Sequence, residues 1–466
     1  MKLRITSLLL WGVAFTLSGA PALAQKQTPP QGGTPLNFTL PAKQEFDLPN
    51  GLQATLVPYG DVPKVTVYTI IQVGNVHELP TQNGLADIVG KLMAEGSTTQ
   101  NAKQISEKVA RMGGSLNVSV GSTQTFITGS VLSEYGPELV QLMADLVQHP
   151  AFPATELARI KTDFKRDMNL ARSQPGVQAE TKFRMALYKN HPYGYDLPKD
   201  AEIDKFTMEQ VQEFYRQQYG AQRTRVYVAG KFDAGALRQA IMSSFNDFPQ
   251  GPAPQIPLAK ATTQPEIMIT DRPGAPQSTL VVGLPIIDPT HPDYTKVRVM
   301  NSLLGGSFGS RITRNIREDK GYTYSPYSSL TARYRAGDWY EEADVTTEHT
   351  GNSLREIVNE IERLQKEAPS AEELEGIKNY EAGLFVLRNS TPSGIISQLN
   401  FLDLHGLPDS YLTNQVQEIH AVTPEQVKQA AKTYIRPDNM TMVVVGDKKV
   451  IDPQIKKFKA SLKKPL

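Results

Sequence analysis

Cysteine is absent from the 466 residues of this chain. That removes a disulfide framework, a thiolate nucleophile and lipid attachment at a cysteine. An excess of one charge is missing too: 49 Lys and Arg face 48 Asp and Glu, a formal net charge of +1. No basic field argues for nucleic acid or an anionic membrane. The seven histidines (His77, His149, His191, His291, His349, His405 and His420) never come within a helical turn or two of one another. His77-Glu78 lacks a following histidine and Glu348-His349 a preceding one, so lone structural or surface roles are expected. No P-loop occurs. The apolar run Ile5 to Leu17 is too short to span a bilayer comfortably.

What is present begins with a targeting pattern. Lys2 and Arg4 precede that apolar run, and Ala22-Leu23-Ala24 offers a small-residue cleavage site before Gln25. Residues 1–24 therefore read as a cleavable signal peptide and the cysteine-free product as periplasmic. Residues 25–40, starting with a Gln-, Pro- and Gly-rich run, read as a flexible leader. The length calls for two or more domains, and 39% hydrophobic with 21% charged residues suits a soluble globular protein.

An internal repeat organises the remainder. Thr207-Met-Glu-Gln-Val211 recurs as Thr423-Pro-Glu-Gln-Val427, and at the same offset Arg225-Val-Tyr-Val-Ala-Gly230 falls on Thr441-Met-Val-Val-Val-Gly446. Each copy opens with a capping-box signature and runs through an amphipathic helix into an apolar strand. Two distant copies mean two similar domains, 41–248 and 266–466. Pro249, Pro252, Pro254, Pro257 and Pro265 mark 249–265 as the linker. Strands are expected at 53–57, 64–73, 266–270 and 279–284, and strand pairs within 117–131 and 322–347. Helices are expected at 84–95, 134–147, 153–172, 353–366 and 371–388, with Ser370 and Glu373 as a further capping box. The fold class is α+β, with two homologous α/β sandwiches produced by duplication, each with its helices on one sheet face.

One stretch carries chemistry, Leu303 to Leu330. Gly305, Gly306 and Ser307 read as a turn and as candidates for lining a substrate cavity. A short helix from Ser310 to Arg317 follows, Gly321 ends it, and Tyr322 to Ser325 alternates like a strand. Such a reversal can bring Arg317 and Tyr324 to one side of a cavity, where guanidinium and phenol offer donors to a carbonyl oxygen that turns negative in acyl transfer. The bland alternative is that Arg317-Glu318-Asp319-Lys320 is a solvated charge run.

The segment LLGGSFGSRITRNIREDKGYTYS resembles the Arg/Tyr segment of pitrilysin/insulinase-type zinc peptidases, down to the spacing of Arg317 and Tyr324. The resemblance continues through Val73-Gly74-Asn75-Val76-His77-Glu78, Gly84-Leu85-Ala86, Arg111 to Asn117, His149-Pro150-Ala151-Phe152 and His191-Pro192-Tyr193-Gly194. It implies that Arg317 and Tyr324 contact a scissile carbonyl opposite the zinc, and that His191 is structural.

One departure decides the expected function. The family's zinc helix carries His-x-x-Glu-His, two imidazoles on one face with a glutamate as base. The matching residues here are Asp87-Ile88-Val89-Gly90-Lys91, and the family's third ligand falls near Asp167. Lys91 puts a cation where the metal would sit, and Asp87, four residues earlier, can pair with it. No metal cofactor is expected in this chain. The resemblance, to the mitochondrial-processing-peptidase-like bacterial branch, implies the non-zinc subunit of a two-chain periplasmic peptidase. Its expected partner is a homologous exported subunit with an intact His-x-x-Glu-His and the zinc, each chain forming a half-shell around a peptide substrate. The alternative is a catalytically inactive peptide-binding or scaffold protein of the envelope; an enzyme with another metal arrangement is a third possibility that the missing imidazoles disfavour.

Overall fold

The computed structural model describes residues 36–462. The expected signal peptide and the first part of the leader lie outside them. Phe38, within the expected leader, is already docked, its ring edge-on to Phe385 with centroids 5.3 Å apart.

Two sheets repeat one strand order. The first runs β1 (Gln44–Asp47), β2 (Gln53–Pro58), β6 (Thr224–Gly230), β3 (Lys64–Ile71), β5 (Thr125–Leu132), β4 (Ser115–Val120). The second runs β7 (Glu266–Asp271), β11 (Thr441–Gly446), β8 (Gln277–Ile286), β10 (Ala336–Thr346), β9 (Tyr327–Arg333). In both, the strand that closes the repeat (β6 or β11) pairs parallel to one neighbour and antiparallel to the other. Both repeated helices are capped as their sequence demands. Thr207 Oγ1 accepts from the Gln210 amide and Thr423 Oγ1 from the Gln426 amide, each at 3.3 Å, and both glutamines return the bond. No helix or strand interrupts 249–265. This linker is strapped to the first half: His77 Nε2 lies 2.9 Å from the Gln255 carbonyl oxygen and His191 Nε2 3.2 Å from that of Pro257. Among the described residues no helix is long and apolar enough to cross a membrane.

Helices do not stay on one face of each sheet, as the sequence reading expected. Along β6, Val226 and Val228 enter the core of their own half, while Tyr227 and Ala229 meet Ile395, Ile396 and Leu399 of helix Pro392–His405 from the other half. Reciprocally, Val443 and Val445 of β11 pack with Ala179, Phe183 and Leu187 of helix Pro175–Tyr188. Each half thus sends a helix onto the other's sheet. Strands buried on both faces read as continuous apolar runs, which is why both repeat copies look so hydrophobic.

Two further expectations need correction. Tyr322 to Ser325 forms a single bridge, Thr323 to Val345, and no strand. Pro326 follows without an N–H to donate, and the strand begins at Tyr327. Ser370 caps its helix by accepting from the Glu373 amide at 3.1 Å, but the Glu373 carboxylate does not return the bond. It makes a bidentate pair with Arg311, both contacts at 2.8 Å, and that guanidinium holds it below the usual glutamate range.

Candidate functional site

At the zinc-helix position, helix Leu85–Met93 packs beneath β4. Its N-terminal amides are taken by Glu78, which accepts from Gly84 N at 3.0 Å and Ala86 N at 2.7 Å. Burial raises the Glu78 carboxyl to about 8, against the pull of those amides. Asp87 does not form an ion pair with Lys91. Its Oδ2 accepts from Asn75 Nδ2 at 2.8 Å, and burial pushes its carboxyl up. Lys91 Nζ instead reaches Asp167 Oδ2, 3.4 Å away on helix Leu157–Ser173, and lies 5.6 Å from the centre of the Phe164 ring. Between them Gly90 faces Val120, and a Cβ added there would stand 2.4 Å from Val120 Cγ2.

These residues do not fit a zinc ion. One carboxylate is engaged, the base position has no room for a side chain, and an ammonium fills the remaining place. His77, the closest histidine in sequence, spends Nε2 on the linker. Among the described residues no group of three or more His, Cys, Asp or Glu side chains could hold a metal ion.

The second site is the stretch from Tyr294 to Ser325. Helix Tyr294–Asn301 continues as a wide π-turn through Ser302–Gly306, so Gly305 and Gly306 are helical and the chain turns only at Ser307 to Gly309. Gly305 is buried and faces the Glu341 carboxyl, with any Cβ 2.4 Å from its Oε2. Gly306 lines one cavity and Ser307 another. A second π-turn, Thr313–Asp319, carries Arg317, and such turns often mark functional positions. It ends in an αL cap: Gly321 takes φ +64°, its amide donates to the Arg317 carbonyl at 3.2 Å, and Tyr322 N reaches one residue further back, to Ile316 O at 2.8 Å.

Three anchors hold this segment. They are the Arg311–Glu373 pair, Asn315 Nδ2 donating to Glu360 Oε1 at 2.7 Å, and Thr323 Oγ1 donating to the Asp344 carbonyl at 2.6 Å. The result brings the predicted pair together. The Arg317 guanidinium sits 4.2 Å from the centre of the Phe308 ring and 5.2 Å from that of Tyr324. Its Nη1 comes within 3.3 Å of Glu318 Oε1 without hydrogen-bond alignment. Tyr324 is 80% exposed and Phe308 73%, while Tyr322 is stacked on His349 at 4.3 Å. Phe308 was missed by the sequence reading, although an aromatic residue in a Gly- and Ser-rich turn is a visible signal. Chemically, the arrangement offers a charged and a neutral donor to a carbonyl.

The insulinase (peptidase family M16) profile matches residues 59–201, and the profile described as the peptidase M16 inactive domain matches 205–380. The chain is 24% identical over 404 residues to a Bacillus subtilis protein named uncharacterized zinc protease YmxG, covering 85% of this chain and 96% of that one. It is 23% identical over 421 residues to the Helicobacter pylori non-peptidase homolog YmxG, with 86% and 96% covered. A crystal structure of a peptidase M16 inactive domain from Pseudomonas fluorescens superposes with TM-score 0.80 at 24% identity, covering 87% and 98%. That of a protease from Helicobacter pylori superposes with TM-score 0.81 at 18%, covering 88% and 100%. Matching profiles, repeated sheets and a zinc helix rebuilt around Lys91 lead to one assignment: the chain belongs to the insulinase (M16) peptidase family, as a peptidase-like member without that family's zinc-ligand motif.

Proposed function

We propose that the chain is the non-zinc subunit of a two-chain peptidase of the periplasm. In this reading Arg317 anchors the scissile carbonyl or its neighbour, Tyr324 donates to the developing oxyanion, and a homologous His-x-x-Glu-His subunit brings the zinc. The observation that carries it is the exposed Tyr324 phenol beside Arg317, on a segment fixed by three buried or half-buried anchors. A solvated charge run has no need of such anchoring.

The experiment is reconstitution with the His-x-x-Glu-His homologue of the same organism. Tyr324→Phe removes only a hydroxyl, so assembly survives, and loss of one oxyanion donor lowers kcat on the order of 100-fold. Arg317→Ala raises KM more if it mainly binds. Tyr322→Phe is the control. Unchanged cleavage by the Tyr324→Phe pair overturns the reading. A second reading, a peptide-binding or scaffold protein of the envelope, is supported by the non-peptidase name of the H. pylori relative; it requires that no pair cleaves peptides.

A further inference from the structure

A cavity of about 350 Å³ opens beside β9 in the second half, within the size range of small-ligand sites. Ser328, Ser329 and Leu330 all line it. Successive strand side chains point to opposite faces, so a void touching three in a row meets the strand's edge. β9 is the edge strand of its sheet, and its outer backbone groups are available for pairing.

The charges on the cavity wall do not cancel. Arg298 Nη2 donates to Glu381 Oε2 at 3.0 Å, and Ser302 Oγ donates to the other carboxylate oxygen. Glu381 is thereby satisfied. Arg388, exposed at the last residue of helix Ala371–Arg388, also lines the cavity and has no ion-pair partner among the described residues. One positive charge is left over.

Two amides of the cavity wall have an atom without a hydrogen bond, and one of these atoms is fully buried. Gln415 is fully buried and donates Nε2 to Thr295 Oγ1 at 3.3 Å, while its Oε1 has no partner. Asn301 accepts from Ser328 Oγ and Trp339 Nε1 on its Oδ1, each at 2.7 Å, which fixes the orientation of its amide. Its Nδ2 is turned toward Gly306, where a Cβ would stand 2.4 Å away. Asn301, Gln415 and Gly306 all line the cavity. Gln415 Oε1 has no accessible surface and lies out of a ligand's reach, so the groups left to meet a ligand, Asn301 Nδ2 and Arg388, call for an anion.

We propose that this cavity binds the free C-terminal end of a short peptide. The carboxylate meets Arg388 and Asn301 Nδ2, and the preceding residues extend along the edge of β9 as an added strand. Phe385 and Phe401 in the wall favour an apolar or aromatic last side chain. This site does not depend on the role of Arg317 and Tyr324: it is expected whether or not the chain takes part in hydrolysis.

Calorimetry on the purified chain tests it with the tripeptide Ala-Ala-Phe as a free acid, as its C-terminal amide and as its N-acetyl form. The free acid and the N-acetyl peptide bind alike, and the amide binds at least tenfold more weakly. Arg388→Gln lowers free-acid affinity about tenfold without moving the melting temperature, because the residue is exposed. No binding of the free acid at millimolar concentration, equal binding of acid and amide, or an Arg388→Gln variant of undiminished affinity each overturns the proposal.

Discussion

Lys91 Nζ stands 3.4 Å from Asp167 Oδ2, so two helix positions that would grip a metal in the family grip each other here. Both side chains are two-fifths exposed or slightly more. Such a pair contributes about 0–1 kcal/mol, which makes its main effect the placing of a cation. The purified chain is expected to hold no stoichiometric zinc, and Lys91→Ala is expected to hold none either, since Gly90 and the engaged Asp87 remain. Elemental analysis checks both, and one tightly held zinc per chain in either contradicts the account.

Restoring the motif should fail for a steric reason. Gly90 lies under Val120 Cγ2, 2.4 Å from where a Cβ would be. Gly90→Ala gains up to about 1 kcal/mol of helix propensity but meets an overpacking cost of about 1–3 kcal/mol. It is therefore expected to destabilise. In a Val120→Ala background the same substitution becomes stabilising. Urea unfolding of the four proteins measures this, and an additive cycle removes Val120 as the cause.

Glu341 on β10 gives a pH dependence of known sign. It is fully buried, neither carboxyl oxygen has a partner, and burial raises it well above its ordinary value of 4.5. The folded chain keeps the proton while the unfolded chain loses it. This contribution to stability is complete below 4.5 and falls as pH rises, by up to about 1.4 kcal/mol per pH unit. Glu341→Gln removes that slope. Its stability relative to the parent should rise as the pH climbs above 4.5 in thermal melts. A constant difference would show that the carboxyl ionises in the fold.

What was legible in the sequence was local or repetitive. The Thr207 and Thr423 caps depend on residues three apart, and both formed. The apolar runs of β6 and β11 were recognised as equivalent strands, and their register came out alike. What was hidden depends on partners distant in sequence. Glu373 looked like half of a capping box, yet Arg311 draws its carboxylate away. Lys91 was placed at the metal position, but its partner proved to be Asp167 and not Asp87, because the choice rests on how two helices cross. Arg317 and Tyr324 were singled out by resemblance to a family segment of the same spacing; Asn301 and Arg388 belong to no pattern and needed the cavity to connect them.

The exchanged helices are pinned by two Tyr–Asp–Arg clusters of unequal burial. On the first sheet, Asp403 of the visiting helix accepts from the Tyr227 hydroxyl and forms an ion pair with Arg225 Nη1 at 2.7 Å. On the second, Asp338 of β10 accepts from Tyr188 of the visiting helix at 2.5 Å and from Arg333 Nε at 3.2 Å. Exposure separates them: 39% and 32% for the Arg225 and Asp403 side chains, 12% and 1% for Arg333 and Asp338. Removing one partner of a buried pair strands the other charge and costs about 3–5 kcal/mol. An exposed pair lets water replace the lost partner, so about 1–2 kcal/mol is expected there. Asp338→Ala should therefore destabilise markedly more than Asp403→Ala in urea unfolding, although each breaks the same set of contacts. Tyr188→Phe, which keeps the ion pair and loses one hydrogen bond, should fall between zero and the Asp338→Ala value. Equal losses for the two aspartates would mean that burial does not set the strength of these clusters.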